Sequence, residues 1–269
     1  MKINRRKFIK RGFWLSVLFI LLDAFWLERF FIRYPEHHLS KDDKLIDPIK
    51  ILEISDIHMR SFGYIWQRAC RQINEQKPDL ICFTGDVVDG KSDLNEFEKI
   101  LAAIDILIPK VAILGNWEYW GRTDLQALQA MYQKYNCTLL VNQHKVFQLK
   151  NRNISITGVD DLLGGQANYK QAEPPQVNDF HLVLNHCPAY NETIFKQANT
   201  PVDFILSGHT HGGQVNFFGF VPFLPPGCGK YLNGWYRKDI IPAYVSKGVG
   251  SNLFPVRFGA RAEMNIFYV

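Results

Sequence analysis

The sequence lacks several features that assign other chains to a class. Its five cysteines are odd in number and form no Cys-x-x-Cys pair, so neither a zinc ribbon nor a disulfide framework is indicated. No internal repeat and no low-complexity segment occurs in the 269 residues. The composition, 47% apolar and 21% charged, is that of a folded globular protein. We therefore expect one folded domain with a sizeable core.

The excess of basic over acidic residues is confined to the N-terminus. The chain has 31 basic and 26 acidic residues, which gives a net charge of +5. Six of the basic residues precede position 12, which leaves 25 basic against 26 acidic residues in the remainder. The six are Lys2, Arg5, Arg6, Lys7, Lys10 and Arg11. Since no basic stripe with interleaved aromatic residues follows, nucleic acid is not expected as the main partner.

An uninterrupted apolar run of membrane-spanning length is also missing. The apolar segment Phe13–Leu27 has 15 residues and contains Asp23, whereas a helix that spans a bilayer needs about 20. The stretch Arg5–Lys10 resembles a twin-arginine export signal, but bulky residues at 25–27 stand where a cleavage site needs small ones. We therefore expect residues 1–33 to act as an uncleaved hydrophobic anchor helix.

The charges around this anchor predict its orientation. Basic residues precede the apolar segment and mixed charges follow it. The positive-inside rule then places the large domain on the periplasmic or outer face of the inner membrane. The alternative is a monotopic helix that lies in the membrane interface, with the domain on the cytoplasmic face. The membrane is a predicted partner in both cases, and nothing in the sequence indicates an oligomeric state.

After a predicted linker at residues 34–48, strand and helix patterns alternate through a domain at residues 49–269. Short apolar runs predict strands at residues 49–55, 80–84, 111–114, 138–141, 146–149, 153–159, 180–184, 204–206 and 262–269. Longer mixed segments predict helices at residues 65–76, 94–107 and 123–135. Strands that alternate with helices predict an α/β fold whose sheet is covered by helices.

Five of the apolar runs are each followed within three residues by a side chain of metal-ligand type, and the loops after these runs hold seven such side chains. They are Asp56, His58, Asp86, Asn116, His186, His209 and His211. Because the carboxyl ends of parallel strands lie at one edge of a sheet, we expect these side chains to meet there. Seven nitrogen and oxygen ligands are too many for one tetrahedral zinc ion. They suit two divalent transition-metal ions that share a carboxylate, with manganese, iron, zinc and nickel all compatible.

The ordered motifs resemble those of the calcineurin-like metallophosphoesterase family. The family pattern D-x-H, G-D-x-x-D, G-N-H-[D/E], a later H and G-H-x-H is matched over residues 49–269. Here it reads Asp56-Ile-His58, Gly85-Asp-Val-Val-Asp89, Gly115-Asn-Trp-Glu118, His186 and Gly208-His-Thr-His211. The resemblance implies a four-layer αββα sandwich. It also implies hydrolysis of a phosphodiester, phosphomonoester or pyrophosphate bond of a small molecule by a metal-activated hydroxide.

The resemblance further implies a role for each of these residues. The first metal is held by Asp56, His58, Asp86 and His211, with Asp86 bridging, and the second by Asn116, His186 and His209 in addition to the bridge. The candidate catalytic residues are Asp86, Asn116, Glu118 and His186. The candidates for contact with substrate or with the ligands are Arg60, Asp89, Trp117 and Asn185.

One position departs from the family pattern. Trp117 stands where the family has a histidine, and an indole donates an N–H but is no general acid. Loss of acid catalysis costs about 10²–10⁴-fold when the leaving group needs a proton. The sequence therefore predicts a preference for leaving groups of low pKa, unless Glu118 or another side chain supplies the proton.

Two alternatives to a general phosphoesterase stay open. Residues 247–261 resemble the corresponding segment of membrane-associated or exported bacterial members, some of which cleave lipid-linked nucleotide pyrophosphates such as UDP-diacylglucosamine. The Phe- and Pro-rich residues 217–227 offer apolar surface that either meets a lipid or covers the core. The second alternative is a catalytically weak, membrane-tethered metal-binding protein, which the substitution at Trp117 suggests.

Overall fold

Two six-stranded sheets organise the computed structural model, which describes residues 5–39, 47–177, 179–238, 241–252 and 254–269. The strands are β1 (Glu36–His38), β2 (Lys50–Ile54), β3 (Leu80–Thr84), β4 (Lys110–Ile113), β5 (Cys137–Leu139), β6 (Gln143–Leu149), β7 (Arg152–Gly158), β8 (Phe180–Leu184), β9 (Phe204–Ser207), β10 (Gly234–Lys238), β11 (Ile241–Val245) and β12 (Asn265–Tyr268). The helices are α1 (Arg5–Leu22), α2 (Glu28–Phe30), α3 (Tyr64–Gln76), α4 (Leu94–Ala103), α5 (Asn116–Trp120), α6 (Leu125–Lys134), α7 (Tyr169–Ala172) and α8 (Asn191–Gln197).

Both sheets are mixed. The first has the order β1-β12-β2-β3-β4-β5, in which β2 to β5 are parallel and β12 is antiparallel to β2. The second has the order β10-β11-β9-β8-β7-β6, with β11, β9, β8 and β7 parallel and an antiparallel strand at each edge. Parallel strands buried on both faces explain why their sequences read as continuous apolar runs.

Three apolar clusters show how the layers pack. Ile51 and Val111 of the first sheet lie in one cluster with Ile156 and Leu184 of the second. The other face of the first sheet packs against α3, α4 and α6, and that of the second against α7 and α8. Helices therefore cover the outer faces of two stacked sheets. This is an α/β fold with the layer order that the family resemblance implies.

Most predicted elements occur with shifted ends. Helix α4 ends at Ala103, four residues before the predicted end. The Asp105 carboxylate accepts the backbone N–H of Leu107 at 2.9 Å, and such a local turn competes with helix continuation. The antiparallel edge strand β10 and its neighbour β11 were not predicted.

The predicted linker at residues 34–48 is in part a strand. Residues 40–46 lie outside the described residues, but β1 pairs in parallel with β12 at the edge of the first sheet. The ring of His37 stacks on Phe267 at 4.9 Å between centroids, and its Nε2 lies 3.2 Å from Asn265 Oδ1. The ring of His37 thus packs against the sheet.

The predicted anchor forms a helix that differs from the expectation. Residues 1–4 lie outside the described residues, and α1 continues through a π-helical turn, Asp23–Leu27, into α2. Within the described part of the chain, no helix combines the length and the apolar character that a membrane crossing requires. Five basic residues occupy positions 5–11 of this helix. The predicted anchor of membrane-spanning length is therefore not found among the described residues.

Candidate metal centre

The predicted ligands lie where parallel strands end, and both sheets contribute. Asp56 follows β2 by two residues and Asp86 follows β3 by two, both in the first sheet. His186 and His209 follow β8 and β9 by two residues each, in the second sheet. The carboxyl edges of the two sheets therefore deliver side chains to one place. All seven predicted ligands are buried.

Unusual backbone conformation is concentrated at these ligands. Five of the seven have a left-handed backbone with φ between 46° and 73°, namely Asp56, His58, Asp86, His209 and His211. This region is sparsely populated by residues other than glycine. Such conformations cost about 1–3 kcal/mol each and are found mainly at functional sites. These conformations thus destabilise the fold, and they direct the ligand side chains inward.

Two glycines in the motifs are required by close contacts. Gly85 has φ +94°, and a Cβ there would lie 2.6 Å from Nδ1 of His186. A Cβ on Gly208 would lie 2.5 Å from Oδ2 of Asp56. Any larger residue at either position would displace a predicted ligand. The two glycines therefore allow the loops of the two sheets to approach each other.

The first group of ligand atoms joins residues 153 positions apart. Nε2 of His58 lies 3.1 Å from Nε2 of His211, and Oδ1 of Asp56 lies 3.6 Å from that same His211 atom. Ligand atoms that bind one ion at about 2.1 Å lie roughly 3.0–3.4 Å from one another. Asp56, His58 and His211 therefore fit a single ion with little rearrangement.

The second group of ligand atoms centres on His186. Its Nε2 lies 3.2 Å from Oδ2 of Asp86, 3.3 Å from Oδ1 of Asn116 and 3.3 Å from Nδ1 of His209. Oδ2 of Asp86 also lies 3.7 Å from Nε2 of His58 in the first group. Asp86 thus stands between the groups, as a bridging carboxylate requires. The donor set fits two divalent ions, and the chemistry of its nitrogen and oxygen atoms does not select one metal.

The remaining ring nitrogens of three ligands have fixed partners. Nδ1 of His186 donates to Thr84 O at 2.8 Å, and Nε2 of His209 donates to Pro226 O at 2.6 Å. Nδ1 of His58 lies 2.5 Å from Oδ1 of Asp89. Hydrogen bonds of this kind set the tautomer and orient the ring that binds the metal. They leave Nε2 of His58, Nε2 of His186 and Nδ1 of His209 facing the centre.

The charges of the site divide its histidines into two kinds. Burial would raise the pKa of Asp86, but His186 and His58 outweigh it and hold that pKa below its usual range. Burial opposes protonation of His186 and His58, yet the nearby carboxylates raise both pKa values. Burial and neighbouring cations lower the pKa of His209 and of His211. Protonation of the first pair therefore competes with metal binding.

Cys187 also lies within ligand distance of His186 and His209. Its Sγ donates to Oδ2 of Asp161 at 3.1 Å. Burial and the nearby Asp161 carboxylate raise the pKa of this thiol far above its usual range. Since only a thiolate binds metal well, Cys187 is a neutral neighbour of the site.

Glu118 supports the site through backbone contacts. Its carboxylate accepts the N–H groups of Gly115 at 2.7 Å, Asp86 at 3.0 Å, Val87 at 2.7 Å and Val88 at 3.2 Å. Burial and the Asp86 charge raise the pKa of Glu118 to about 7, and these N–H donors oppose the rise. The geometry makes Glu118 a positioning residue that ties two ligand loops together. Whether Glu118 also supplies a proton to the leaving group stays a prediction from the sequence.

The other predicted neighbours occupy different places. Arg60 is exposed at the edge of the site, with Nε 3.4 Å from Oδ2 of Asp89. The Trp117 ring meets that of His58 edge-on at 6.0 Å, and its backbone N–H donates to Oδ1 of Asp86 at 2.8 Å. Asn185 is buried and donates to Cys187 O at 2.8 Å. Asn185 thus braces a loop, whereas Arg60 and Trp117 lie beside the ligands.

The sequence does not single out Arg257, which the structure places against the site. This side chain is fully buried, and burial lowers its pKa to about 10. It donates to the carbonyl oxygens of Gly250 and Lys247, and its Nη2 lies 3.3 Å from Nδ1 of His211. No sequence pattern marks it, because an arginine is expected at the surface.

Comparison with known proteins agrees with this site. The sequence model of the calcineurin-like phosphoesterase family matches residues 49–213. The uncharacterized metallophosphoesterase YkuE of Bacillus subtilis (strain 168) is 29% identical over 283 residues, which cover 99% of this chain and 97% of the relative. Phosphodiesterase YaeI of Escherichia coli (strain K12) is 33% identical over 227 residues, which cover 81% of each chain. The chain therefore belongs to the calcineurin-like phosphoesterase family and is a metallophosphoesterase, a hydrolase of phosphoester bonds.

Proposed function

We propose that this protein hydrolyses phosphodiesters with two divalent metal ions held by the seven predicted ligands. The observation that carries the proposal is the position of Asp86 between two groups of ligand atoms. A diester is favoured over a monoester because the relative YaeI is named a phosphodiesterase. The family resemblance supports the assignment of Asp56, His58 and His211 to one ion.

The residues of the chain have distinct tasks in this proposal. Two bound ions would supply activation of water and neutralisation of phosphoryl charge. Asp56 and Asp86 supply the negative charge that retains divalent ions, and four imidazoles supply neutral nitrogen donors. The amide of Asn116 and the ring of Trp117, which meets that of His58, lie beside the ligands. Burial of the ligands keeps bulk water from competing with substrate.

Trp117 determines the leaving groups that the enzyme accepts. Its Nε1 is buried and has no hydrogen-bond partner among the described residues. A buried donor without a partner is costly unless a ligand uses it. We expect this N–H to donate to a substrate oxygen without transferring a proton. Leaving groups that are stable as anions, such as nitrophenolates or nucleotide phosphates, should therefore be preferred.

Turnover of model esters tests the proposal. The manganese-reconstituted protein should hydrolyse bis(4-nitrophenyl) phosphate at least tenfold faster than 4-nitrophenyl phosphate, and a chelator should abolish both activities. Faster hydrolysis of the monoester would overturn the choice of a diester. Metal binding without turnover of any ester, unchanged in Trp117→His, would favour a catalytically weak metal-binding protein.

A lipid-linked nucleotide pyrophosphate is the second candidate substrate. An apolar cavity of about 330 Å³ begins at His211 and is lined by Phe223, Phe254, Val256 and Pro222. Phe223 and Phe254 are both largely exposed. A cavity of this kind beside the metal ligands suits an acyl chain. Hydrolysis of UDP-diacylglucosamine, with weaker hydrolysis of UDP-glucose, would favour this candidate, and equal rates would exclude an acyl-chain preference.

We further propose that the N-terminus attaches the protein to a membrane surface. Phe13, Trp14, Phe19 and Trp26 each expose more than half of their surface. The basic residues of positions 5–11 precede them, and a cluster of cations of this kind is attracted to anionic lipid. The catalytic domain would then lie on the periplasmic face, as expected from the sequence, or on the cytoplasmic face. Fusion of an alkaline phosphatase or a green fluorescent protein after Val269 distinguishes the two faces.

A further inference from the structure

A second cavity opens beside the predicted ligand His58. Its volume is about 210 Å³. Arg29 and Phe30 of the N-terminal segment form one wall, and Arg60 with Trp66 forms another. Since His58 itself lines the cavity, a group bound there would be continuous with a phosphoryl group at the metal centre.

The charge of this cavity is positive and largely uncompensated. Among its described lining residues, two are arginines and none carries a carboxylate. In the described part of the chain, Arg29 contacts the Phe25 carbonyl oxygen at 3.4 Å and the ring of Phe30, but pairs with no acid. Burial and the charge of Arg60 lower the pKa of Arg29. Two guanidinium groups thus share the cavity, and among the described residues Asp89, outside the lining, pairs with that of Arg60.

The first turn of α3 adds to the positive charge around this cavity. Gly63 lines the cavity and precedes the helix, and no side chain caps the helix N-terminus. The free N–H groups of a first turn carry partial positive charge. This helix end alone defines no binding site, but its partial positive charge adds to the charge of the two arginines. An anion is therefore the ligand that the cavity suits.

The N-terminal segment is held in place beside the site. The N–H of Arg257 donates to Ala24 O at 2.9 Å, and that of Ala262 donates to Glu28 O at 2.9 Å. Oε2 of Glu28 accepts the N–H of Ala260 at 2.9 Å. The N–H of Arg33 donates to Ala262 O at 2.9 Å, so these bonds flank Arg29 on the chain. The backbone at Arg29 is thus held by the same C-terminal loop that contacts His211.

We propose that this cavity binds a second phosphate of the substrate, one that is not cleaved, through Arg29 and Arg60. The inference rests on the proposed function, because it assumes that the cleaved phosphoryl group lies at the metal centre. It names the substrate class as organic phosphodiesters that carry a further phosphate. The rings of Phe30 and Trp66 face the organic part. The N-terminal segment, which lies outside the family match at residues 49–213, is then part of the substrate site.

A matched pair of substrates tests the proposal by kinetics. The 4-nitrophenyl ester of thymidine 5′-phosphate is compared with the same ester that carries a 3′-phosphate. The wild-type enzyme should prefer the second by at least tenfold in kcat/KM. Arg29→Gln should reduce this preference at least tenfold, whereas Arg33→Gln, an exposed residue of the same segment, should keep it. Equal kcat/KM values in the wild type, or the same preference in Arg29→Gln, would overturn the proposal.

Binding provides a readout that needs no turnover. Isothermal titration of the full chain in EDTA with thymidine 3′,5′-bisphosphate and thymidine 5′-phosphate gives two dissociation constants. Tighter binding of the bisphosphate, lost in Arg29→Gln, supports the cavity even if neither ester is hydrolysed. In that case the proposed phosphodiesterase activity fails while the anion site stands. Equal dissociation constants for the two nucleotides overturn the anion site.

Discussion

Oδ1 of Asp89 lies 2.5 Å from Nδ1 of His58 and holds the opposite nitrogen of that ring toward His211. The second oxygen of Asp89 lies 3.4 Å from Nε of Arg60. One carboxylate therefore joins the metal centre to the neighbouring cationic cavity. Because the residue follows Asp86 by three positions, the motif Gly85–Asp89 supplies a ligand and the group that orients a second ligand.

Asp89→Asn should weaken metal binding. Loss of the carboxylate that is hydrogen-bonded to a histidine ligand lowers metal affinity by about 10–100-fold, because the ring is no longer oriented as a neutral donor. We expect a decrease of that size in Mn²⁺ affinity, measured by equilibrium dialysis. Asp93→Asn, on the turn before α4, is the matched control and should bind as the wild type does. Unchanged affinity in Asp89→Asn would show that His58 needs no such orientation.

Trp117→His should widen the range of leaving groups. In the wild type, log kcat/KM for aryl diesters should fall as the pKa of the leaving phenol rises, because no side chain donates a proton. The variant should gain about 10²–10⁴-fold on the poorest leaving group if the new imidazole acts as an acid. Trp120→His, whose ring lies 6.0 Å away and is half exposed, is the control. A flat dependence in the wild type would refute this interpretation of Trp117.

Glu118→Gln should destabilise the fold. The amide retains one acceptor oxygen and turns its NH₂ group toward backbone N–H groups that the carboxylate now accepts. Each buried donor left without an acceptor costs about 1–3 kcal/mol. We expect a loss of about 2 kcal/mol or more in the free energy of unfolding, measured in urea. Glu98, which forms an ion pair with the exposed Lys134, provides a control, since Glu98→Gln should change little. Wild-type stability in Glu118→Gln would contradict a positioning role.

His181 should make stability depend on pH. Its Nδ1 donates to Pro201 O at 2.7 Å and its Nε2 accepts from the Thr157 hydroxyl at 2.8 Å. Burial lowers the pKa of this imidazole, so the unfolded chain takes up the proton first as the pH falls below about 6.5. The stabilisation is full above that pH and is lost as the pH falls toward the folded-state pKa.

Urea unfolding at pH 7.5 and pH 5.5 measures this effect. In EDTA, the wild type should lose more stability between the two pH values than His181→Gln does. His38→Gln, at an exposed position of the edge strand β1, should behave as the wild type. An equal loss in wild type and His181→Gln would mean that the imidazole is not held neutral.

The parts of the fold that the sequence predicts well share a physical cause. Strands such as β3 are buried on both faces, so four of the five residues of β3 are apolar and the run is visible. Strand β11 contains Pro242, a residue that normally argues against a strand because it lacks an N–H. The three residues of β1 include His37 and are too few to show a period. These two strands depend on neighbours that no local pattern reveals.

The residues of the site likewise include some that the sequence predicts and some that it does not. The seven ligands are visible because loop motifs keep their residue types and spacing near strand ends. Arg257 and Arg29 are not visible, because each reaches the site through the docking of distant segments. The number of contacts that Glu118 makes with backbone N–H groups also depends on the folded loops. Sequence thus identifies the chemistry of the centre, and the structure identifies what orients and surrounds it.

Metal stoichiometry coupled to diester hydrolysis tests the central claim most directly. After reconstitution with Mn²⁺ and removal of free ions, the protein should contain two ions per chain by mass spectrometry of the metal and should hydrolyse bis(4-nitrophenyl) phosphate. Chelation should remove both the ions and the activity, and added Mn²⁺ should restore them together. Protein that binds no ion, or that hydrolyses the diester equally well after the ions are removed, would contradict the account.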